Sequence, residues 1–277
     1  MSLSVNTNIS AIEAYNNLNA TNTAMQTSIN QLSSGLKIQN ASQGAADYVI
    51  SQGLQTQANG LGVAINNGQD AVSVLQIATG AMNQQISILQ TMNQLATQAA
   101  NAGANNTTSN NADQQEFAAL QNQLDQIANS TQFGSTQLLN GTYTGQSFQI
   151  GAYASSVDQV VVSIGNLGAA SLGVSAASTN ISTASAAFSA MASVQAAITS
   201  VASAEAAIGA AQNQIQDIIA NDTVAQQNVT SANSTLVDTN MAKAMTNFSS
   251  QQVLMQAGVA MLSQAQALPQ LILKLIP

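Results

Sequence analysis

The chain has no cysteine, no histidine, no tryptophan and no arginine; its only cations are Lys37, Lys243 and Lys274. Without cysteine it has no disulfide and no thiol nucleophile, and without histidine it lacks the commonest transition-metal ligand and the usual general base. Three cations cannot follow a phosphate backbone, so nucleic-acid binding is excluded. Acidic residues number 11, the net charge is −8, and no acidic cluster has the spacing of a calcium loop. Aromatics make up 3%, too few for stacking platforms. Proline occurs twice. This inventory argues against an enzyme and implies no cofactor.

What the chain has is apolar and amide side chains in helical spacing. Hydrophobic residues reach 45% while charged residues are 5%, the wrong balance for a charge-expanded disordered chain. The 277 residues are enough to bury a core. No unbroken apolar run approaches the ~20 residues of a membrane helix, and the tail Leu271–Ile276 is too short to span. The start, Met1–Asn6, has neither a basic residue nor an apolar run, so no cleaved secretory signal is expected.

A three-four alternation through Val72, Leu75, Thr79, Met82, Ile86, Leu89, Asn93 and Ala96 predicts a helix over about 45–100, with Ile50, Leu54, Leu61 and Ile65 on the same seam. Gly60, Gly62 and Gly68 are its weak points. A loop is expected over 101–111. The next helix should open on Asp113-Gln-Gln-Glu116, an aspartate version of the capping box. Turn signals at Asn140-Gly141 and Thr144-Gly145, around Ser147–Ile150 and Val160–Ile164, predict hairpin strands. The helical period returns from about Ala184 through Met191, Val194, Ile198, Val201, Ile208, Ile215 and Ile219. Near the chain ends, Leu18, Met25, Ile29 and Leu32 form one seam, and Met241, Met245, Phe248, Gln252, Met255, Val259 and Leu262 another. Gly35 reads as a helix stop and Pro269 as the end of the last helix. The fold class is mainly α, with long coiled-coil-like helices from both ends and a small central β-hairpin region. Seams this long, thinned by Gln, Asn and Thr, suit an elongated self-assembling protein; a self-contained bundle is the plainer alternative.

Two stretches carry more than periodicity. Leu32-Ser-Ser-Gly-Leu-Lys-Ile38, leading into Ala45-Ala-Asp-Tyr-Val-Ile-Ser51, and Gln251-Gln-Val-Leu-Met-Gln-Ala-Gly-Val-Ala-Met-Leu-Ser263 resemble the two ends of bacterial flagellins. Gln69–Gln76, Thr79–Asn83, Thr131–Phe133, Leu138–Gly141 and Asp238–Ala242 fall between them in family order. The resemblance covers nearly the whole chain. It departs at Gln43 and Gly44, where paired acids are usual, and at Ala71, where glycine is common.

The resemblance implies a filament subunit that polymerises with itself as the helical propeller of swimming; the alternative within the superfamily is a hook–filament junction protein. It implies a terminal domain from 1–44 with 237–277 lining an inner tube, and a rod-like domain over 45–236 with its hairpin region at about 133–164. Gly165–Thr183 is too short to hold an outer variable domain, which makes this a minimal form. Self-assembly falls to Leu18, Met25, Ile29, Leu32, Met241, Met245, Phe248, Met255, Gly258, Val259 and Leu262. Ser33, Ser34 and Gly35 fall at the domain junction. Gln90, Thr91 and Leu95, with Glu116, fall in the segment that many flagellins offer to the vertebrate flagellin-sensing Toll-like receptor; Thr91 stands where recognised members have Arg. The implied partners are further copies of the chain, the flagellar export apparatus and chaperone, and hook-junction and cap proteins, with no membrane insertion. The implied location is the extracellular filament, reached without a cleaved signal peptide.

Overall fold

The computed structural model describes residues 7–103 and 105–273. The readings of Met1–Asn6 and of the tail around Lys274 lie outside the described residues. Among those described, five α-helices and two small hairpins follow in the order α1 (Ile9–Ser34), α2 (Ala45–Ala99), α3 (Thr107–Ser130), β1 (Gln132–Phe133), β2 (Thr136–Gln137), β3 (Gln146–Gln149), β4 (Gln159–Val162), α4 (Ala184–Val237) and α5 (Met241–Leu273). The fold is mainly α with a small central β region. The chain divides into two compact units, residues 1–56 with 229–277 and residues 57–228.

The core lies in the second unit. Leu75, Met82, Leu89 and Met92 of α2 meet Phe117 and Leu124 of α3 and Val194, Val201, Ile208 and Ile215 of α4. On α4 the positions that the three-four spacing selects, from Met191 to Ile219, are buried or half-buried, and the helix starts at Ala184. α2 is continuous over 55 residues, through the glycines that weakened its expectation. Neighbours press against them: a Cβ on Gly68 would lie 2.8 Å from Ile219, and one on Gly60 would lie 3.1 Å from Ala152. The helix loses intrinsic propensity at these points and gains close packing there. The upstream reading of the α2 seam needs correction, because Ile50 is exposed. That residue belongs to the other unit and is remote in sequence from the core-forming stretch.

Two further expectations change, and the span 165–183 acquires a definite structure. The helix expected at Asp113 begins at Thr107, capped by Asn106, whose side chain accepts from the Ser109 N–H at 2.9 Å. Asparagine caps as well as aspartate, and the earlier start buries Asn110 and Asp113 on the inner face of α3. Glu116 is therefore an exposed mid-helix residue, not the partner in a capping box. The span 165–183 is a fastened strap. Buried Gln85 donates to the Leu167 carbonyl at 3.1 Å, the Ala169 N–H donates to Asp125 at 2.7 Å, and Gln121 donates to the Thr179 carbonyl at 3.2 Å. Within the strap itself, Ala169, Val174 and Ile181 are fully buried. Finally, α5 continues through Pro269 to Leu273. A proline inside a helix withdraws one N–H and leaves one carbonyl unanswered, and that carbonyl is answered from elsewhere, as described below.

β3 and β4 form an antiparallel hairpin with Phe148 opposite Val160, and β4 alternates so that Val160 and Val162 point inward. Gly141 sits at φ 87°, and a Cβ there would lie 2.8 Å from the Asn166 side chain, so the Asn-Gly turn needs its glycine. By length and composition α4 is apolar enough to cross a membrane, with a mean hydropathy of 1.3 over its best window. Alanine supplies most of that value, and the helix's Val194–Ile215 stripe is core in the folded chain.

Candidate assembly surface

α1 and α5 pack antiparallel over their lengths. On α1 the inward positions are Ala11, Ala14, Leu18, Thr21, Met25, Ser28 and Leu32; on α5 they are Ala244, Phe248, Gln251, Met255, Gly258, Leu262 and Ala265. Both series step by three and four, the spacing of helices that meet in knobs-into-holes fashion. Midway, the Ser28 hydroxyl donates to Gln251 Oε1 at 2.8 Å. Gly258 admits Leu18, whose Cδ1 would be 3.2 Å from a Cβ at that position. At the far end Asn8 reaches the Ala265 carbonyl.

The anticipated assembly residues are thus divided. Leu18, Met25, Leu32, Phe248, Met255, Gly258 and Leu262 lie along the pair, all only partly covered. Ile29, Met241, Met245 and Val259 are exposed on its outside. They share that exposure with Ile9, Ile12, Tyr15, Val253, Leu254 and Met261; Val253 and Met261 are each 64% exposed. Two helices can bury only one stripe apiece against each other, so the second apolar stripe has no mate among the described residues. Apolar surface of that extent marks an interaction face. Spacing alone missed Asn8, Ser28, Ala244, Gln251 and Ala265, because the seam uses small and polar residues there.

Beyond α1 the backbone turns at Gly35, which has φ 75° and returns its N–H to the Gln31 carbonyl at 2.9 Å. Ser34 holds the turn: its hydroxyl donates to the Asn30 carbonyl and accepts from the Leu36 N–H at 3.1 Å, while Ser33 is exposed. The emerging strand-like segment pairs with the approach to α5. The Lys37 N–H donates to the Val237 carbonyl at 2.7 Å, and the Thr239 N–H donates to the Gly35 carbonyl at 2.8 Å. A cavity of about 460 Å³ opens beside this crossing, lined by Gln31, Lys37, Asp238, Asn240 and Lys243 among others.

The receptor-like segment lies in the second unit. Gln90 and Glu116 are exposed, Leu95 packs on the core, and the Thr91 hydroxyl donates to its own helix at the Ser87 carbonyl, 3.1 Å away. In the same unit, burial and the neighbouring Asp158 carboxylate raise the Asp222 pKa above the usual carboxylate value. Among the described residues no group of three or more acidic, histidine or cysteine side chains converges as a metal site would require.

The family model described as the bacterial flagellin N-terminal helical region matches residues 5–144, and that described as the bacterial flagellin C-terminal helical region matches residues 191–276. Flagellin of Bacillus subtilis (strain 168) is 35% identical over 98% of this chain and 99% of its own length. Flagellin D of Vibrio anguillarum is 45% identical over 60% of this chain. The match spans 44% of that protein, so the chain covers less than half the length of such Vibrio relatives. The crystal structure of Bacillus cereus flagellin superposes with a TM-score of 0.50 at 25% identity, covering 57% of this chain and 88% of that one.

Proposed function

The chain belongs to the bacterial flagellin family, and on that premise we propose that it is the structural subunit that polymerises into the extracellular flagellar filament. The observation that carries this reading is the outer face of the α1–α5 pair, where Ile12, Tyr15, Met245, Leu254 and Val259 are all more than half exposed. A second copy of the same pair is the natural cover, since stacked subunits each bring an identical unfinished stripe. Residues 1–44 with 237–277 then form the inner tube, 45–236 form the surrounding rod, and Ser33–Gly35 lie at the junction. With few charges available, cohesion rests on apolar burial and on amide and hydroxyl hydrogen bonds. The work of the polymer is mechanical, not catalytic. The flagellar export apparatus and its chaperone, and the hook-junction and cap proteins, are the further partners of this reading, with delivery that needs no cleaved signal peptide.

The test is seeded polymerisation of the purified chain, followed by sedimentation and electron microscopy. Long filaments above a critical concentration are expected. A chain that stays monomeric at every concentration, with intact seeds present, would overturn the reading.

A further inference from the structure

We propose that Asn8 fastens the two chain ends together and that Pro269 is what leaves the fastening point open. In an α-helix the N–H of each residue donates to the carbonyl four positions earlier. α5 runs through position 269, where proline has no N–H to give, so the Ala265 carbonyl loses the donor that an α-helix would normally supply to it. Ala265 is buried, at 9% exposure, and a buried acceptor left without a donor is costly. Asn8 supplies the donor: its Nδ2 lies 2.7 Å from the Ala265 oxygen. The other end of the same amide caps α1, with Oδ1 accepting from the Ala11 N–H at 3.0 Å.

Both halves of the amide are therefore committed, and this selects the residue. Asp and Ser cap a helix about as well, and Thr somewhat less well. An ionised Asp has nothing to donate, however, and the hydroxyls of Ser and Thr sit one bond nearer the backbone. Only asparagine offers acceptor and donor at that reach. The bond joins residues 257 positions apart. With the Leu18–Gly258 contact, the Ser28–Gln251 bond and the pairing of Leu36 with Asp238, it fixes the antiparallel register at its outermost point.

The proposal uses the filament reading only for its assay. Critical concentrations would be measured for the full chain, Asn8→Asp, Asn8→Ser, Pro269→Ala and the two double variants. Asn8→Asp and Asn8→Ser keep the α1 cap and should each raise the critical concentration about tenfold, the size of one buried hydrogen bond. In the Pro269→Ala background, residue 269 supplies an N–H to Ala265, and the same changes at Asn8 should cost less than about twofold. Equal effects in both backgrounds, or no effect in either, would overturn the fastening. Failure of the unaltered chain to polymerise would instead overturn the filament reading. The Asn8–Pro269 coupling would then be read from amide hydrogen exchange of α1 and α5 in the monomer, by the same criterion.

Discussion

The two units of this chain solve the burial problem differently. In residues 57–228 the largest side chains are sealed: Phe117, Leu75, Met82, Leu89, Met92 and Ile215 have no more than traces of exposed surface. In the unit made from the two ends, the buried residues among those described are Ile38, Val237, Ala244, Ala265, Ser28 and Ser51, all but two of them small or polar. Its other large side chains, from Ile9 to Met261, face outward or are only half covered. One unit therefore contains the material for its own stability. The other has apolar surface in quantity but disposes of little of it, and needs a further surface to complete it.

Paired truncations test this contrast most severely. Phe117→Ala should cost the monomer about 3–5 kcal/mol of unfolding free energy, read by urea denaturation. Phe248→Ala should leave that transition nearly unmoved, yet raise the critical concentration for filaments about a hundredfold, equivalent to about 3 kcal/mol. Equal shifts of the monomer transition by the two variants would show that the end pair carries its own core after all.

Overpacking is the next test. Gly258→Leu forces a side chain into the place of Leu18 and should cost about 1–3 kcal/mol in pairing of the ends, seen as lost polymerisation. Central-unit melting should be unchanged. Unhindered assembly would mean that α1 yields at that point.

A smaller effect belongs to the central unit alone. The raised pKa of Asp222 means that the folded chain holds this proton more tightly than the unfolded one. Between the ordinary and the raised value, stability therefore falls as pH rises and grows as the medium becomes acidic. Asp222→Asn should flatten that slope in thermal melts taken across mildly acidic pH; an unchanged slope would assign the dependence to other carboxylates. The smallest structural effect is expected of Thr91→Arg, which exchanges an intrahelical hydroxyl bond for a cation. Melting and polymerisation should stay as they were, while signalling by soluble monomer through the flagellin-sensing receptor should increase. Equal potency before and after would place that contact elsewhere.

Where one stripe of large apolar residues faces one core, the sequence was sufficient. α4 begins at Ala184 and buries Val194, Val201, Ile208 and Ile215, as their spacing requires. On α5 two stripes compete. The series through Met245, Gln252 and Val259 and the series through Ala244, Gln251 and Gly258 share Phe248, Met255 and Leu262. Both have three-four spacing, so periodicity could not choose between them, and apolar size favoured the wrong side for the pairing with α1. The strap over 165–183 was hidden for another reason. Its anchors, Gln85, Gln121 and Asp125, are remote in sequence and look like ordinary helix-surface residues until the fold brings them to the Leu167, Thr179 and Ala169 backbones.

The antiparallel joining of α1 to α5 also has a consequence in time. A chain made from its amino end completes α1 long before the residues of α5 exist, and Asn8 waits for a partner 257 positions away. Contacts so distant along the chain are slow to form and reward folding only after the intervening loop has been closed. The central unit, closed by shorter-range contacts, is then expected to fold first. Under the filament reading proposed above, the end pair would act as a length check: a chain broken off before Met241 would keep its central unit but have no mate for α1, and would lack the α5 half of the surface proposed to join its neighbours.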